Sequence, residues 1–176
     1  MPFCVWLTGL PASGKSTIAE HLRKLLNERG IKVQILDSDE LRKVLTPKPT
    51  YSLEERDWFY DVLVYIAKIL YENGVNVIIA ATGNKRAYRD KARNVIQNFL
   101  EVYVKCDLET CMKRDKKGIY ELAKMGLAST VPGIQDPYEE PLNPELVLDT
   151  TSLEPKQCAS LILGYLEKNS LLTSKK

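Results

Sequence analysis

An eight-residue segment near the beginning of the chain combines residue types that can hold a phosphate group. It reads Gly9-Leu10-Pro11-Ala12-Ser13-Gly14-Lys15-Ser16 and matches the pattern G-x-x-x-x-G-K-[ST] in full. Glycines let the backbone curl so that successive N–H groups point towards one anion, and a helix that begins there adds the positive end of its dipole. Lys15 can reach the β- and γ-phosphates, and the Ser16 hydroxyl can ligate Mg²⁺. The segment therefore predicts a nucleotide-binding loop that continues into a helix from Ser16.

Other residues narrow the class of nucleotide-binding protein. A guanine-reading N-K-x-D motif would favour a GTPase switch, but the nearest candidate, Asn84-Lys85-Arg86-Ala87, lacks the aspartate. The apolar run at residues 75–81 carries no terminal aspartate that could orient a metal ion as a Walker-B residue does. Both observations direct attention to acidic residues elsewhere and favour a kinase over a switch.

Two aspartates follow the second apolar run of the chain. Asp37 and Asp39 flank Ser38 directly after residues 32–36, at the edge where a parallel sheet also presents its phosphate loop. One carboxylate could orient Mg²⁺ through water, and the other could accept the proton of an attacking hydroxyl. The competing interpretation is structural, because Asp39 precedes a helical segment and aspartate is a favoured N-cap. Beside a phosphate loop we favour catalysis, with Asp39 as the first candidate for the proton acceptor and Asp37 as the second.

A dense run of positive charge follows later in the chain. The segment Lys113-Arg114-Asp115-Lys116-Lys117 holds four cations in five residues and precedes Gly118. An isolated run of this kind is usually the solvated end of a helix. Small kinases, however, need a mobile cationic lid that closes over the transferred phosphoryl group and excludes water. The run therefore indicates a lid in which Arg114 and Lys117 close over the phosphates and Gly118 allows the chain to bend.

These residues lie in a chain that alternates strand-like and helix-like segments. Apolar runs typical of buried strands are found at residues 3–7, 32–36, 75–81, 100–105 and 146–148. Helical periodicity or composition covers residues 16–29, 52–74, 85–99, 108–125 and 155–168, whereas prolines and glycines predict loops at 46–50 and 126–144. This alternation predicts an α/β fold, a three-layer sandwich of the P-loop nucleotide-hydrolase type with a mainly parallel sheet flanked by helices. We expect one domain at residues 1–168 and a frayed tail at 169–176.

Composition excludes several classes of protein. The chain has 176 residues, of which 44% are hydrophobic and 27% charged, as in a globular domain rather than a disordered chain. The formal net charge is only +2, so no basic excess predicts a nucleic-acid partner. No apolar stretch reaches the ~18 residues of a membrane span, and the first residues lack the basic region of a signal peptide. We therefore expect a cytoplasmic protein with neither nucleic acid nor membrane as partner, whose four cysteines are buried thiols.

Taken in order, the motifs resemble those of the adenylylsulfate kinase family. The resemblance rests on the phosphate loop, on Leu36-Asp37-Ser38-Asp39-x-x-Arg42, on Arg114-Asp115-Lys116-Lys117-Gly118-Ile119-Tyr120, and on Pro132-Gly133-Ile134 with Tyr138-Glu139-x-Pro141. It covers about residues 3–150. It implies a P-loop kinase that uses ATP and Mg²⁺ to phosphorylate the 3′-hydroxyl of adenosine 5′-phosphosulfate (APS) in sulfate assimilation. It also implies a homodimer.

The resemblance also implies roles for individual residues. ATP would be held by Gly9, Leu10, Pro11, Ala12, Ser13, Gly14, Lys15, Ser16, Thr17 and Arg114, with Mg²⁺ at the Ser16 hydroxyl and at Asp37 through water. The catalytic residues would be Asp39, Asp37 and Lys15. The acceptor would contact Asp39, Arg42, Arg56, Lys117, Val131, Gly133 and Ile134.

The chain departs from the family pattern where the acceptor should bind. The family's Phe-Ile-Ser-Pro segment is Ala81-Thr82-Gly83-Asn84 here, and the phenylalanine of its Phe-Thr-Gly-Ile segment is Val131. In the family these two rings sandwich the APS adenine, and stacking on a base is worth ~1–3 kcal/mol in nucleic-acid binders. A family asparagine is replaced by Phe59. The run Trp58-Phe59-Tyr60 could rebuild a stacking surface, but core aromatics are the favoured interpretation because three adjacent helical residues cannot all face one ligand.

The sequence thus predicts ATP-dependent phosphorylation of a small-molecule hydroxyl, with APS as the leading acceptor. One alternative is a kinase of the same family that acts on a different nucleotide-like or polyol hydroxyl, as the missing phenylalanines suggest. The other is a nucleotide-gated binding or switch protein that hydrolyses ATP slowly.

Overall fold

The computed structural model describes residues 1–172 and contains a five-stranded sheet with helices on both faces. The strands are β1 (Cys4–Thr8), β2 (Val33–Asp37), β3 (Asn76–Ala80), β4 (Phe99–Lys105) and β5 (Leu146–Asp149). Their order is β2-β3-β1-β4-β5, and every pairing is parallel. The helices are α1 (Lys15–Glu28), α2 (Ser38–Leu45), α3 (Leu53–Glu72), α4 (Arg86–Val95), α5 (Leu108–Arg114), α6 (Ile119–Lys124) and α7 (Pro155–Lys168). The predicted three-layer α/β sandwich is confirmed.

Strand β1 lies in the middle of the sheet and contributes to a core on each face. Val5 and Leu7 pack with α1 and α7 on one side, whereas Cys4 and Trp6 pack with α3 and α4 on the other. A strand that is buried on both faces must be apolar at every position, which explains the continuous apolar run at the start of the chain. The end of β1, and the phosphate loop after it, therefore lie at the centre of the carboxyl edge of the sheet.

Residues 108–125 differ most from the predicted elements. The sequence predicts one helical stretch, but the chain forms α5 and α6 with a turn between them. The Asp115 carboxylate accepts hydrogen bonds from the backbone N–H groups of Ile119 (3.2 Å) and Tyr120 (2.8 Å). These bonds satisfy the free donors at the start of α6, so the aspartate begins a new helix instead of continuing the old one.

Helix α2 is capped by a different aspartate from the one predicted. The N-cap is Asp37, whose Oδ1 accepts a hydrogen bond from the backbone N–H of Asp39 (2.9 Å). The structural interpretation of Asp39 as the cap is therefore wrong. Because Asp37 performs this function, the Asp39 carboxylate is available for other contacts.

Two residues from the predicted tail pack against the core. Leu171 and Leu172 are half-buried against the core of α1 and α7, and the Leu171 N–H donates to the Leu166 carbonyl (2.9 Å). Residues 173–176 of the predicted tail lie outside the described residues. Between residues 1 and 172, no helix combines the length and the apolar character that a membrane crossing would require.

Candidate active site

The phosphate loop joins β1 to α1 and lies against the neighbouring strand β4. A Cβ atom on Gly9 would collide with the carbonyl oxygen of Val104, so this position admits no side chain. The first hydrogen bond of α1 runs from the Ile18 N–H to the Gly14 carbonyl (3.0 Å). The motif therefore occupies the strand–loop–helix context in which it binds phosphate.

Lys15 folds back over the loop that precedes it. Its Nζ donates hydrogen bonds to the carbonyl oxygens of Gly9 (2.9 Å) and Leu10 (2.7 Å), and the side chain is buried. Burial lowers the pKa of Lys15 to about 8, although the nearby carboxylates of Asp39 and Asp37 favour the charged form. At neutral pH the loop thus holds a largely protonated amine.

Ser16 and Asp37 bring two hard oxygen donors together beside the loop. The Ser16 Oγ donates a hydrogen bond to Asp37 Oδ2 (2.6 Å). Mg²⁺ is usually held by one or two carboxylates together with water and substrate phosphates rather than by an all-protein cage. Residues 1–172 accordingly contain no group of three or more His, Cys, Asp or Glu side chains that could hold a metal ion. This donor set fits a magnesium ion that arrives with a nucleotide.

The cationic segment does lie over the phosphate loop. Lys117 Nζ forms an ion pair with the Asp39 carboxylate, which joins the α5–α6 turn to the start of α2. The Tyr120 hydroxyl of α6 donates to the Pro11 carbonyl within the loop (2.7 Å). Two independent contacts thus connect the predicted lid to the loop and to Asp39.

Arg114 approaches the loop from the other direction. Its Nη2 donates to the Thr150 carbonyl (2.7 Å), and the Thr150 hydroxyl donates to the Ser13 carbonyl (2.8 Å). Arg114 is therefore fixed to the residue after β5 and, through it, to the phosphate loop. Arg114 and Lys117, the two cations of the predicted lid, both lie near the phosphate loop, but Arg114 contacts Thr150 whereas Lys117 contacts Asp39.

Arg42 and Arg56, the two predicted acceptor arginines, have different environments. The Arg42 Cζ lies 4.1 Å from the ring centroid of Phe59, and the side chain is partly exposed. Arg56 is buried and donates to Asp136 Oδ2 (2.6 Å) and to the Thr130 carbonyl (2.6 Å). Arg56 thus fastens the 130–136 loop to α3, whereas Arg42 retains accessible surface.

The remaining predicted acceptor residues occupy that same loop. Val131 is buried in a small core beneath the lid with Cys111 and Tyr120. Gly133 packs so closely on the Leu10 side chain that a Cβ would lie 2.9 Å from Leu10 Cδ2. Ile134 is 38% exposed and opens onto a groove of about 660 Å³ over β4 and β5. The structure therefore places Val131 and Gly133 in packing contacts, and Ile134 at a groove on the β4 side of the loop.

Residues 81–84, between β3 and α4, form a tight turn above Trp6. Ala81 is fully buried, and its carbonyl accepts a hydrogen bond from the Trp6 indole N–H (3.0 Å). Gly83 has φ +52°, and a Cβ there would come within 2.8 Å of Trp6 Cζ2. The Gly83 N–H donates to the Tyr60 hydroxyl (2.9 Å). The turn thus depends on the aromatic residues below it.

The aromatic run of α3 divides between core and surface. Phe59 and Tyr60 are buried, and Tyr60 stacks on Trp6 (centroids 6.0 Å apart) and on Tyr88 (4.5 Å). The interpretation as core aromatics is confirmed for these two residues. It is wrong for Trp58, which is 48% exposed because it lies on the outer face of the helix.

Tyr51 is a candidate residue of the acceptor site that the sequence analysis missed. It has φ +56°, an uncommon conformation for a residue other than glycine, and its side chain is 53% exposed. The Tyr51 carbonyl accepts a hydrogen bond from the Thr130 hydroxyl (2.8 Å), which places Tyr51 beside the loop of Val131. The available signal was an aromatic residue within a proline-containing break, next to the Ser52 cap of α3.

Arg89 is a second residue that the sequence analysis missed. It is fully buried on α4 and forms an ion pair with Glu101 of β4 (2.8 Å). It also donates to the carbonyls of Gly83 (2.7 Å) and Glu139 (2.6 Å). It therefore joins two loops at the carboxyl edge of the sheet. Residues 85, 89, 92 and 96 have the spacing of one helix face, and Ala92 and Ile96 mark that face as the one towards the core. A cation on that face, Arg89, was the signal that could have identified it.

The four cysteines are buried and free, as predicted.

Comparisons with known proteins agree with this geometry. The sequence profile described as adenylylsulphate kinase matches residues 1–149. The probable adenylyl-sulfate kinase of Pyrococcus abyssi is 41% identical over 170 residues, which cover 93% of this chain and 98% of that protein. The probable adenylyl-sulfate kinase of Archaeoglobus fulgidus is 43% identical over 151 residues, covering 85% and 97%. The Mycobacterium tuberculosis APS kinase CysC, solved with AMPPNP and APS, superposes with a TM-score of 0.88 at 33% identity and covers 94% of this chain and 98% of its own. The chain therefore belongs to the adenylylsulphate kinase family.

Proposed function

We propose that the protein transfers the γ-phosphoryl group of ATP to the 3′-hydroxyl of APS. The observation that carries the proposal is the linked series Ser16–Asp37–Asp39–Lys117 at the mouth of the phosphate loop, in a chain of this family. It combines an oxygen donor for a metal, a carboxylate and a lid cation at one end of the sheet. Family membership directs this machinery towards APS.

In this proposal the phosphate loop and Lys15 bind and orient the ATP phosphates. Backbone N–H groups and the protonated Lys15 amine stabilise the charge that develops on the γ-phosphoryl oxygens. Ser16 and Asp37 would hold Mg²⁺, which supplies further charge neutralisation when bound. Arg114 and Lys117 would exclude water from the site as the lid closes.

Asp39 is the proposed proton acceptor. The Oδ1 and Oδ2 atoms of Asp37 are engaged by the Asp39 N–H and the Ser16 hydroxyl. Asp39 instead contacts a flexible lid lysine, which can move when an acceptor enters. A carboxylate with this freedom can come within hydrogen-bond reach of an acceptor hydroxyl and take its proton.

We assign Arg42 to the phosphosulfate of the acceptor and Tyr51 to its base. Arg42 is partly exposed on the same short helix as Asp39, and a guanidinium matches phosphate and sulfate oxygens. Tyr51 presents an exposed ring beside the 130–136 loop, where the phenylalanine of the family pattern is replaced by the buried Val131. Arg56, Val131 and Gly133 would act indirectly, by fixing that loop.

The test is an ADP-release assay with MgATP and APS, with a control lacking APS and identification of the product by mass and phosphorus NMR. The proposal expects APS-dependent ADP release and a product phosphorylated at the 3′-oxygen. Release of ADP at the same rate without APS would contradict it and would favour the nucleotide-gated switch.

A second candidate is a kinase of this family with a different hydroxyl acceptor. It is favoured by one observation: Ala81 and Val131 are both buried and small, so neither position offers a ring to an adenine. Thermal melting with a non-hydrolysable ATP analogue discriminates between the two candidates. A further rise of the melting temperature on adding APS supports APS, whereas no rise supports a panel of other nucleotide-like and polyol acceptors.

A further inference from the structure

A group of four aromatic side chains connects helices α3 and α4 to the central strand β1. We call Trp6, Phe59, Tyr60 and Tyr88 the aromatic brace. Phe59 meets Tyr60 edge to face (5.3 Å, 87°), and Tyr60 stacks on Trp6 and Tyr88. All four residues are buried. At one end the brace holds the 81–84 turn, through the bonds of Trp6 and Tyr60 to the backbone.

At its other end the brace contacts Arg42. The Arg42 Cζ lies 4.1 Å from the Phe59 ring centroid, well within the distance at which an aromatic face attracts a cation. Arg42 also has a charged neighbour in Glu55, whose Oε1 lies 4.0 Å from Arg42 Nη1, at the limit of an ion pair. Glu55 already accepts hydrogen bonds from the backbone N–H groups of Thr50 (2.9 Å) and Tyr51 (3.2 Å). Because Glu55 is engaged by the backbone and meets Arg42 only at the limit of an ion pair, we take the face of the Phe59 ring as the main support of the guanidinium.

From these contacts we propose that Phe59 is a positioning residue, whose ring holds the Arg42 guanidinium ready for the anionic group of the acceptor. The inference rests on the proposed function, because it takes Arg42 to be an acceptor ligand. Phe59 itself is fully buried and acts through Arg42. An arginine side chain loses much rotamer freedom when it binds an anion, so a support that orients it beforehand improves affinity.

The same inference explains why an aromatic residue occupies this position. A phenyl ring offers no hydrogen bond, but its face attracts a cation. The ring offers Arg42 a face, and its edge packs on Tyr60, which also carries the 81–84 turn. Phe59 thereby couples the position of Arg42 to the 81–84 turn.

The first test is Phe59→Leu, which keeps an apolar core residue but removes the aromatic face. We expect the KM for the acceptor to rise roughly threefold to thirtyfold, the range that corresponds to losing one cation–π contact. The KM for ATP and kcat should change less than about twofold, because Arg42 is proposed to contact the acceptor and not ATP. Phe59→Tyr, which restores the face, should return the acceptor KM towards the wild-type value.

The matched control is Phe3→Leu. Phe3 is also fully buried, but it lies in the other core, with α1 and α7, and it appears in none of the cation–π contacts of the described residues. Both leucine variants should lower the melting temperature, but only Phe59→Leu should raise the acceptor KM. Equal changes in kinetics for the two variants would overturn the inference, because they would show that a loosened core is the cause.

A double-mutant cycle with Arg42→Met separates this inference from the proposed function. If Phe59 acts through Arg42, Phe59→Leu should have no further effect on acceptor KM in the Arg42→Met background. Urea unfolding of the same four proteins measures the coupling of the two side chains without any substrate. A wild type that does not phosphorylate APS would sink the proposed function while the unfolding cycle still reports on the contact. Absence of coupling in that cycle would overturn the inference whatever the activity.

Discussion

The two sides of the candidate site are built in different ways. On the phosphate side, one continuous segment at the end of β1 supplies backbone groups, Lys15 and Ser16, and its shape depends on main-chain contacts such as that between Gly9 and Val104. On the acceptor side, separate segments contribute side chains: α2, α3, the 81–84 turn and the 130–136 loop. Their positions depend on contacts between those side chains.

This difference explains where the chain keeps the family pattern and where it departs from it. A loop made of main-chain groups tolerates little change, because a Cβ at Gly9 already collides with its neighbour. A pocket made of packed side chains can be rebuilt by compensating changes, as Phe59 beside Arg42 and Gly83 above Trp6 illustrate. We therefore expect substitutions on the phosphate side to affect transfer itself, and those on the acceptor side to affect affinity for the acceptor.

The largest effect is expected for Lys15→Ala. Removing the amine that is proposed to bind the β- and γ-phosphates should lower kcat/KM by roughly a thousandfold or more. The fold should persist, and circular dichroism and thermal melting check this directly. Lys24→Ala, which removes an exposed lysine from the same helix, serves as the control and should retain wild-type turnover. Turnover of Lys15→Ala near the wild-type rate would show that the loop does not carry out the transfer.

The next largest effect separates the two aspartates. Asp39→Asn should lower kcat by about 10²–10⁴-fold with little change in the KM for ATP, because it removes the proposed proton acceptor. Asp37→Asn keeps the cap of α2, since asparagine is an equally good N-cap, but weakens the oxygen donor set for Mg²⁺. Its activity should recover as Mg²⁺ is raised. If Mg²⁺ instead rescues Asp39→Asn and leaves Asp37→Asn inactive, the two roles are reversed.

A stability measurement tests the acceptor side at the 81–84 turn. Gly83→Ala places a Cβ against Trp6 in a left-handed backbone conformation and should lower the free energy of unfolding by about 2–4 kcal/mol. The acceptor KM should rise as well, because a shift of the turn is expected to displace the aromatic brace and, through Phe59, the Arg42 side chain. Gly164→Ala in α7 is the matched control, since a Cβ there meets nothing within 4 Å and should be neutral or stabilising. Similar losses in both variants would contradict the role assigned to the Trp6 contact.

The smallest predicted effect is a pH dependence on the phosphate side. Burial lowers the pKa of Lys15 to about 8, so the fraction of the cation falls as the pH rises through that value. ATP affinity should therefore be nearly constant below pH 7 and weaken by up to about tenfold per pH unit above pH 8. Lys15→Arg, which stays charged, should bind ATP with a flatter pH profile. Titration calorimetry measures the ATP affinity of the wild type and of Lys15→Arg at each pH. Identical pH profiles of the two proteins would assign the pH dependence to another group.

The sequence predicted the strand, loop and helix of the phosphate side well because the information for them is local. The strand, the loop and the helix follow one another within residues 3–29, and the spacing of glycines and Lys15 is enough to identify them. The acceptor side depends on contacts between distant residues, such as Arg56 with Asp136, which lie 80 positions apart. Tyr51 and Arg89 were missed for the same reason, since an exposed aromatic in a loop and a cation on a helix acquire meaning only from what they contact.

The most direct test of the central claim is the dependence of product formation on APS concentration at saturating MgATP. The account predicts 3′-phosphorylated APS with half-saturation at low micromolar APS, roughly the lower end of the usual range of KM, because Tyr51 is proposed to stack on the base and the braced Arg42 to bind the phosphosulfate. Absence of this product even at millimolar APS, with ATP still bound, would contradict it and leave an intact phosphate side joined to a pocket for another acceptor.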